Sequence, residues 1–414
     1  MLRIDRHGRT GLRAVLVATL VATSVAAPVW AEAPLLAPTA DARSPAVDRT
    51  RLNARVFDRV WEETRRNYYD PGLHGVDWNA ARERYRPEAV AAPDERSLYV
   101  VLRTMMRLLD DDHAGVSQPS AVRRREAMRQ RRAVMGLTLF PENDGVWRVD
   151  QVRAGSPAEE AGVELGWRLQ RIDGRPWGPE IEVTEGLPVL LDMTDDAGQA
   201  RAVSVLPREM DPAPPFSVDR SRDGVAVIRV GSFEAGLGRW MGQQLAALPD
   251  GTDVILDLRA NPGGRLAEAD AVLSCFLKAS QPWAQRTGRS GRRVVLRTSG
   301  GCGGGAPYAM DVAVLIDKAS RSAAELTPAA LQEAGRAAVI GERSAGAVLI
   351  SQDQDLPDGG QLTLSRADFV TTGGVRLEKR GVTPDILAVR TLEDRRAGRD
   401  PALDMAVTML RATN

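Results

Sequence analysis

The sequence predicts an α/β protein with a helical N-terminal region, a small inserted β domain and a core built on a largely parallel sheet. Three observations lead there. Apolar residues recur at helix spacing from Arg51 to Leu109, short strands replace them between residues 133 and 208, and beyond Pro215 apolar strand-like runs alternate with helical stretches. A chain of 414 residues is too long for one ordinary core and divides into two or three domains.

The first segment stands apart from that fold. "MLRIDRHGRTGLR" is basic apart from Asp5 and runs into the apolar "AVLVATLVATSVAAPVW", with small residues at Val29, Ala31 and Ala33. This is the pattern of a secretory signal peptide, residues 1–31, cut after Ala31. The apolar run is short against the roughly 20 residues that span a bilayer, so no stable membrane insertion is expected after cleavage. Residues 32–50, rich in Ala and Pro, read as a linker. The mature protein is therefore expected to be exported, to a periplasm or as a secreted protein.

Without Arg3, Arg6, Arg9, Arg13 and Asp5, the 55 basic and 55 acidic residues become 51 and 54. Such a near-neutral balance gives no electrostatic footprint for nucleic acid. An exported protein meets an oxidising compartment, where Cys275 and Cys302, the only cysteines, can pair. Sequence does not give their separation.

In order, residues 51–132 form the helical domain: "ARVFDRVWEETRRNYY" places Val56, Val60 and Trp61 on one side, and "SLYVVLRTMMRLL" repeats the spacing. The basic run Arg123 to Arg132 reads as a solvated helix or hinge. Residues 133–208 carry the strands "VMGLTLF", "WRVDQV" and "RAVSVL" around "GSPAEEAGVELGWRLQRIDG", in which Ser156-Pro157 opens a short helix and Gly162 closes it. "DPAPP" then marks a boundary, and residues 209–414 form the core. There "GVAVIRV", "DVILDLR", "VAVLID" and "AAVIGE" are strands, with helices expected from Leu237 to Leu248, Leu266 to Leu277 and Ser322 to Glu333. The patch "SGGCGGGAP" lacks the Lys-Ser/Thr of a phosphate loop and reads as a mobile loop.

Chemistry is expected where "DLRANPGGR" and "DKASRSAAE" leave the strands' carboxyl ends. Acyl transfer by serine needs a hydroxyl within reach of a base and two N–H groups aimed at the developing oxyanion. The helix start after Ser322 can supply the Ala323 amide, and Gly263 and Gly264 let backbone approach a substrate closely. Yet Ser322-Ala323-Ala324-Glu325 is also a capping box, in which serine only finishes a helix. Candidate bases are few: His74, His113, Lys278, Lys318 and Lys379 beyond the signal peptide. His74, in a Gly-rich loop, reads as a surface histidine. His113 follows Asp110, Asp111 and Asp112, which would favour its charged form. The histidines lack metal-ligand spacing, so no metal and no cofactor is expected.

Taken in this order, "VWEETRRNYYDPGLHGVDW", "LLDDDHAG", "GSPAEEAGVELGWRLQRIDG", "GSFE", "DLRANPGG", "SRSAAELTPAALQEAGRAAVIGERSAG" and "GVTPDI" resemble the S41 peptidases, the C-terminal processing (tail-specific) proteases and their tricorn-core relatives. The resemblance implies a crotonase/ClpP-like α/β protease core with an N-terminal helical domain and an inserted PDZ-like β domain. It implies Ser322 as nucleophile and an oxyanion hole from Gly263 or Gly264 and Ala323. In the processing branch the base is a lysine directly after the glycine of the "GER…G" turn; here that position is Ala347. The turn "GERSAGA" is closer to the tricorn branch, which implies His113 as base and Glu378 as its partner. The tricorn pattern has serine before the histidine, where this chain has Asp112, a carboxylate able to hold an imidazolium directly. Lys318 is the spare base, and Lys379 is expected to pair locally. The PDZ-like part has Trp167 where the family usually has aspartate, and its carboxylate-binding loop would be Met135, Gly136 and Leu137, taking a peptide C-terminus by strand addition.

The reading is an exported serine endopeptidase acting on peptide or protein substrates through a Ser-His acyl-enzyme. Because base and nucleophile come from different domains, hinge motion is expected to switch activity. Two rivals stand beside it: an inactive S41-like peptide-binding protein that has lost the lysine, and a hydrolase of small esters. Nothing in the sequence fixes the oligomeric state.

Overall fold

The structure, a computed structural model, describes residues 49–123, 133–141, 146–177, 181, 183–211, 214–302 and 306–413. The expected signal peptide, linker residues 32–48 and residues 124–132 of the basic run lie outside them.

Three helices come first. α1 (Arg49–Asn67) buries Val56, Phe57, Val60, Trp61 and Thr64, the face its spacing dictates. α2 (Trp78–Ala91) and α3 (Glu95–Met106) start at Asp77 and Asp94, whose carboxylates accept from otherwise unpaired first-turn amides. These helices do not close a core of their own. Val56, Phe57, Leu98, Tyr99, Leu102 and Met105 pack with Leu349, Leu356, Leu362 and Leu364 from much later in the chain. β1 (Gly115–Ser117) adds antiparallel to the strand that carries Leu362. Swinging the helical region away would open this shared core to water.

The inserted module enters and leaves through a two-strand stem, β2 (Ala133–Val134) against β8 (Arg208–Glu209). Between them β3 (Leu137–Pro141), β4 (Trp147–Val152), β5 (Arg168–Ile172), β6 (Val189–Thr194) and β7 (Ala200–Val205) form a sheet in chain order, antiparallel throughout. Its one-turn helix α4 (Pro157–Glu160) is capped by Ser156, and Ala158 packs with Val149, Leu169, Ile172 and Leu191 in a separate core. Among the described residues the module has no second helix.

The remaining chain makes two sheets. β9 (Phe216–Arg222), β10 (Val225–Val230), β11 (Asp253–Asp257), β14 (Val312–Ile316), β15 (Ala337–Gly341) and β18 (Ile386–Leu387) form the first, in the order β18-β15-β14-β11-β10-β9. Only β9 runs antiparallel to its neighbour. The crossover helices α5 (Leu237–Ala246), α6 (Leu266–Phe276) and α7 (Ala323–Glu333) lie within two residues of their expected bounds. Strand residues alternate between two cores: Val254, Leu256, Val314 and Val339 pack with α5, α6 and α7, while Ile255, Ala313, Leu315 and Ile340 pack with Ala402, Ala406 and Leu410 of α9 (Pro401–Thr413). The short α8 (Leu392–Arg396) precedes α9. The second sheet, antiparallel, takes β12 (Pro282–Gly288), β13 (Arg293–Arg297), β16 (Ile350–Asp355) and β17 (Gln361–Val370), with β1 at one edge. No described helix is long and apolar enough to cross a membrane.

Cys275 on α6 and Cys302 form a disulfide, with Cα atoms 4.4 Å apart across a sequence separation of 27. The pairing that sequence left open is thus made. By loop-closure entropy alone a loop of this length is worth about 3–4 kcal/mol. The double variant Cys275→Ala/Cys302→Ala is expected to unfold at lower urea concentration by about that free energy, with reductant shifting the wild type but not the variant.

Candidate active site

Two turns leave the neighbouring strands β11 and β14 and are laced together. Asp317, just past β14, accepts from the amides of Ala260 and Ala319, both at 3.0 Å. Ser320 is buried and donates through Oγ to the Leu258 carbonyl at 2.9 Å. Of the two serines ahead of α7, Ser320 is consumed by the turn and Ser322 is presented, half-exposed.

Ser322 has φ 54° and ψ −117°. Serine seldom adopts this backbone, so the surroundings must impose it. Its amide donates to the Ala347 carbonyl at 2.8 Å and to Glu325 Oε2 at 3.0 Å. The Glu325 amide in turn donates to the Ser322 carbonyl at 2.8 Å, within a capping box made by Ser322 and Glu325. Gly263 sits against this residue: a Cβ there would lie 2.7 Å from Ser322 Cβ and 3.1 Å from the Ala323 amide.

The two glycines differ in role. The Gly263 amide donates to Asn261 Oδ1 at 2.7 Å, and Asn261, wholly buried, donates through Nδ2 to the Val230 carbonyl at 2.7 Å. The Gly264 amide finds no acceptor among the described residues, and the Ala323 amide, at the first position of α7, has none within its helix. Gly264 has φ 142°, and a Cβ would lie 2.4 Å from the Phe233 carbonyl oxygen, so only glycine fits. Asn261 went unread in the sequence; an Asn before Pro-Gly-Gly signals a side-chain-closed turn.

His113 is brought to Glu378. Its Nε2 lies 3.8 Å from Glu378 Oε2 and, although buried, makes no hydrogen bond. Glu378 Oε2 accepts from the amides of Val348 at 2.8 Å and Leu349 at 3.2 Å. The two preceding amides, of Gly346 at 2.7 Å and Ala347 at 2.8 Å, go to Glu325. Four consecutive backbone donors are thus divided between a carboxylate on the Ser322 helix and the carboxylate facing His113. Burial holds the Glu378 carboxyl above the usual carboxylate range, against the pull of the two amides and of His113.

The other expected residues are placed as follows. Ala347 points a buried methyl where the processing branch has its lysine. Lys379 pairs with Asp110, which raises its pKa and keeps it charged. Lys318 is exposed, its Nζ 3.9 Å from the centre of the Phe140 ring. Asp112 is exposed and forms no hydrogen bond or ion pair with the His113 ring; instead Asp111 accepts from the His113 amide at 2.8 Å. His74 is held at both ring nitrogens, Nε2 2.7 Å from the Tyr69 hydroxyl and Nδ1 2.6 Å from the Leu109 carbonyl oxygen. Met135, Gly136 and Leu137 lie where β2 passes to the edge strand β3; the Met135 and Gly136 carbonyls accept from the amides of Ala158 and Arg153. A cleft of about 380 Å³ separates the β3 side of the module, at Thr138 and Phe140, from the strand ends at Arg229, Arg259 and Asp317 to Ala319. Among the described residues no His, Cys, Asp and Glu cluster could hold a metal.

A strained serine at a helix start, with unpaired amides beside it, is equipment suited to acyl transfer. Residues 224–388 match Peptidase family S41, and residues 53–107 match the Tricorn protease C1 domain. The chain is 29% identical over 394 residues to the putative tricorn protease homolog 2 of Streptomyces coelicolor, covering 86% of this chain and 32% of that protein. It is 28% identical over 346 residues to the carboxyl-terminal-processing protease of Picosynechococcus sp., covering 79% of this chain and 81% of that one. The photosystem II D1 C-terminal processing protease shares the fold, with TM-score 0.62 at 21% identity over 84% of this chain and 98% of the other. Residues 224–388 are thus similar to the S41 peptidases, and the chain spans about a third of the length of the tricorn homologue.

Two outcomes follow from the geometry. Gly263→Ala would press a methyl onto Ser322 and the Ala323 amide; serine-directed labelling is expected to slow on the order of 100-fold, while far-ultraviolet circular dichroism is unchanged. For Glu378, a carboxyl raised by burial, stability is greatest below the unfolded pKa and is lost as pH rises through the raised folded one. Glu378→Gln, neutral throughout, is therefore expected to gain stability relative to wild type from acid to neutral pH, read as denaturation midpoints across that range.

Proposed function

We propose that this chain is an exported endopeptidase in which His113 is the base for Ser322. The observation that carries the reading is the run of amides from Gly346 to Leu349. The Ala347 carbonyl holds the Ser322 amide, and one peptide further on the Val348 amide holds the carboxylate that faces His113. Base and nucleophile are thus referred to one stretch of backbone.

In the reaction His113 removes the Ser322 proton as Oγ attacks a peptide carbonyl, and the amides of Gly264 and Ala323 receive the oxyanion. The Glu378 charge favours the imidazolium, which passes its proton to the departing amine. Water, activated by the same imidazole, then releases the acyl-enzyme. Lys318 and Lys379 are engaged elsewhere, which supports histidine over lysine. Export rests on the charged and apolar start of the chain, a signal peptide over residues 1–31. The module over 133–208 is read as PDZ-like, with Met135, Gly136 and Leu137 taking a peptide end beside the open edge of β3. The names of the relatives, carboxyl-terminal-processing and tricorn proteases, agree with a peptide or protein substrate.

The second reading, a peptide-binding protein without activity, is favoured by one observation, the methyl of Ala347 at the lysine position. A fluorophosphonate probe separates them. Ser322 is expected to label in the wild type and not in Ser322→Ala, and His113→Ala is expected to slow labelling by about 100-fold or more. An unlabelled wild type would establish the binding protein, and turnover of simple esters but not peptides would establish an esterase.

A further inference from the structure

Three aspartates precede His113, and each does something different. Asp110 pairs with Lys379, the residue after Glu378, and so joins the His113 loop to the Glu378 loop from outside. Asp112 is exposed. Asp111, buried, uses both carboxylate oxygens: Oδ1 accepts from the His113 amide at 2.8 Å and Oδ2 from the Tyr68 hydroxyl at 2.8 Å.

Tyr68 is a fixed anchor. It is wholly buried, its carbonyl accepts from Arg289 at 3.0 Å, and the next residue's amide donates to the Ser365 carbonyl at 3.0 Å. Burial first, then the Asp111 charge, keeps its hydroxyl protonated and hence a donor at any working pH. Between the 3-10 turn Arg107–Leu109 that follows α3 and the start of β1, the loop bearing His113 has no regular structure to hold it. Asp111 supplies that hold, through a side chain anchored to the sheet.

We infer that Asp111, held by Tyr68, is the positioning residue of the base: it sets His113 against Glu378. The inference rests on the reading of His113 as base.

The test is the rate of reaction with a fluorophosphonate across pH, resolved into kinact and KI. In that step the Ser322 oxygen bonds to phosphorus, fluoride leaves and the serine proton passes to the base. Asp111→Asn keeps an acceptor for the His113 amide but removes the charge. Its kinact is expected to fall about tenfold with KI unchanged, because the carboxylate that ties the His113 amide to the Tyr68 hydroxyl is replaced by a neutral, weaker acceptor. Tyr68→Phe removes only the anchor, and kinact is expected to fall about tenfold with KI unchanged. Wild-type profiles in both variants would overturn the inference. If Asp111→Asn does not fold, Tyr68→Phe decides: a fall in kinact alone supports the clamp, and a wild-type rate overturns it. His113→Ala separates the two levels. Labelling at the wild-type rate in that variant removes the base assignment and this inference with it, whereas a dead His113→Ala beside normal Asp111 and Tyr68 variants removes only the clamp.

Discussion

Two buried glutamates share one run of backbone, and the rest of the site depends on that division. Gly346 and Ala347 give their amides to Glu325, and Val348 and Leu349 give theirs to Glu378. A carboxylate removed from water is costly unless several donors meet it. Glu325, wholly buried, also receives the Ser344 hydroxyl and the Ser322 amide, and it lies in the first turn of α7, where the helix end favours negative charge. Neither carboxylate can move without breaking bonds to the same segment. The spacing between the Ser322 amide and the Glu378 carboxylate is therefore set by a few peptide units.

On the proposed reading, this arrangement takes the place of the lysine that the resemblance to the processing proteases implies at position 347. That lysine is a side-chain device at position 347; the backbone of the same position still binds Glu325 and Ser322. What changes is where the base must come from. A histidine from the helical region requires that region to be fixed on the core, and it is: Leu349, one residue beyond Val348, is buried among its helices, and β1 pairs with β17. The residue that presents an amide to Glu378 thus also packs the lobe that delivers His113.

Much of the fold was legible because its signals are local. Apolar runs at β10, β11, β14 and β15 are buried on both faces and read as parallel strands, and α5, α6 and α7 lie close to their expected bounds. Local signals failed where two structures share one pattern. Ser-Ala-Ala-Glu reads as a capping box whether or not the serine is presented; only the positive φ of Ser322 and its bond to Ala347 separate the cases. Long-range pairs failed for a different reason. Asp111 with Tyr68, and Asn261 with Val230, are polar side chains bonded to groups that no periodicity brings together. The helical region read as a domain because its helices are amphipathic, yet the leucines that complete its core come from the second sheet.

The backbone at Ser322 completes the argument. A serine held at φ 54° costs energy, roughly 1–3 kcal/mol, and would relax if its neighbours allowed it. They do not: its amide is bonded on the Ala347 side, its carbonyl accepts from Glu325 and Leu326, and Gly263 leaves just enough room for its Cβ. Three parts of the chain, the segment after β15, the helix α7 and the turn after β11, converge on one residue to keep it unrelaxed. An ordinary helix cap needs none of this. The strain accompanies a backbone that leaves the amides of Ala323 and Gly264 unpaired beside Ser322, the kind of preorganised donor pair that the proposed acyl transfer would use.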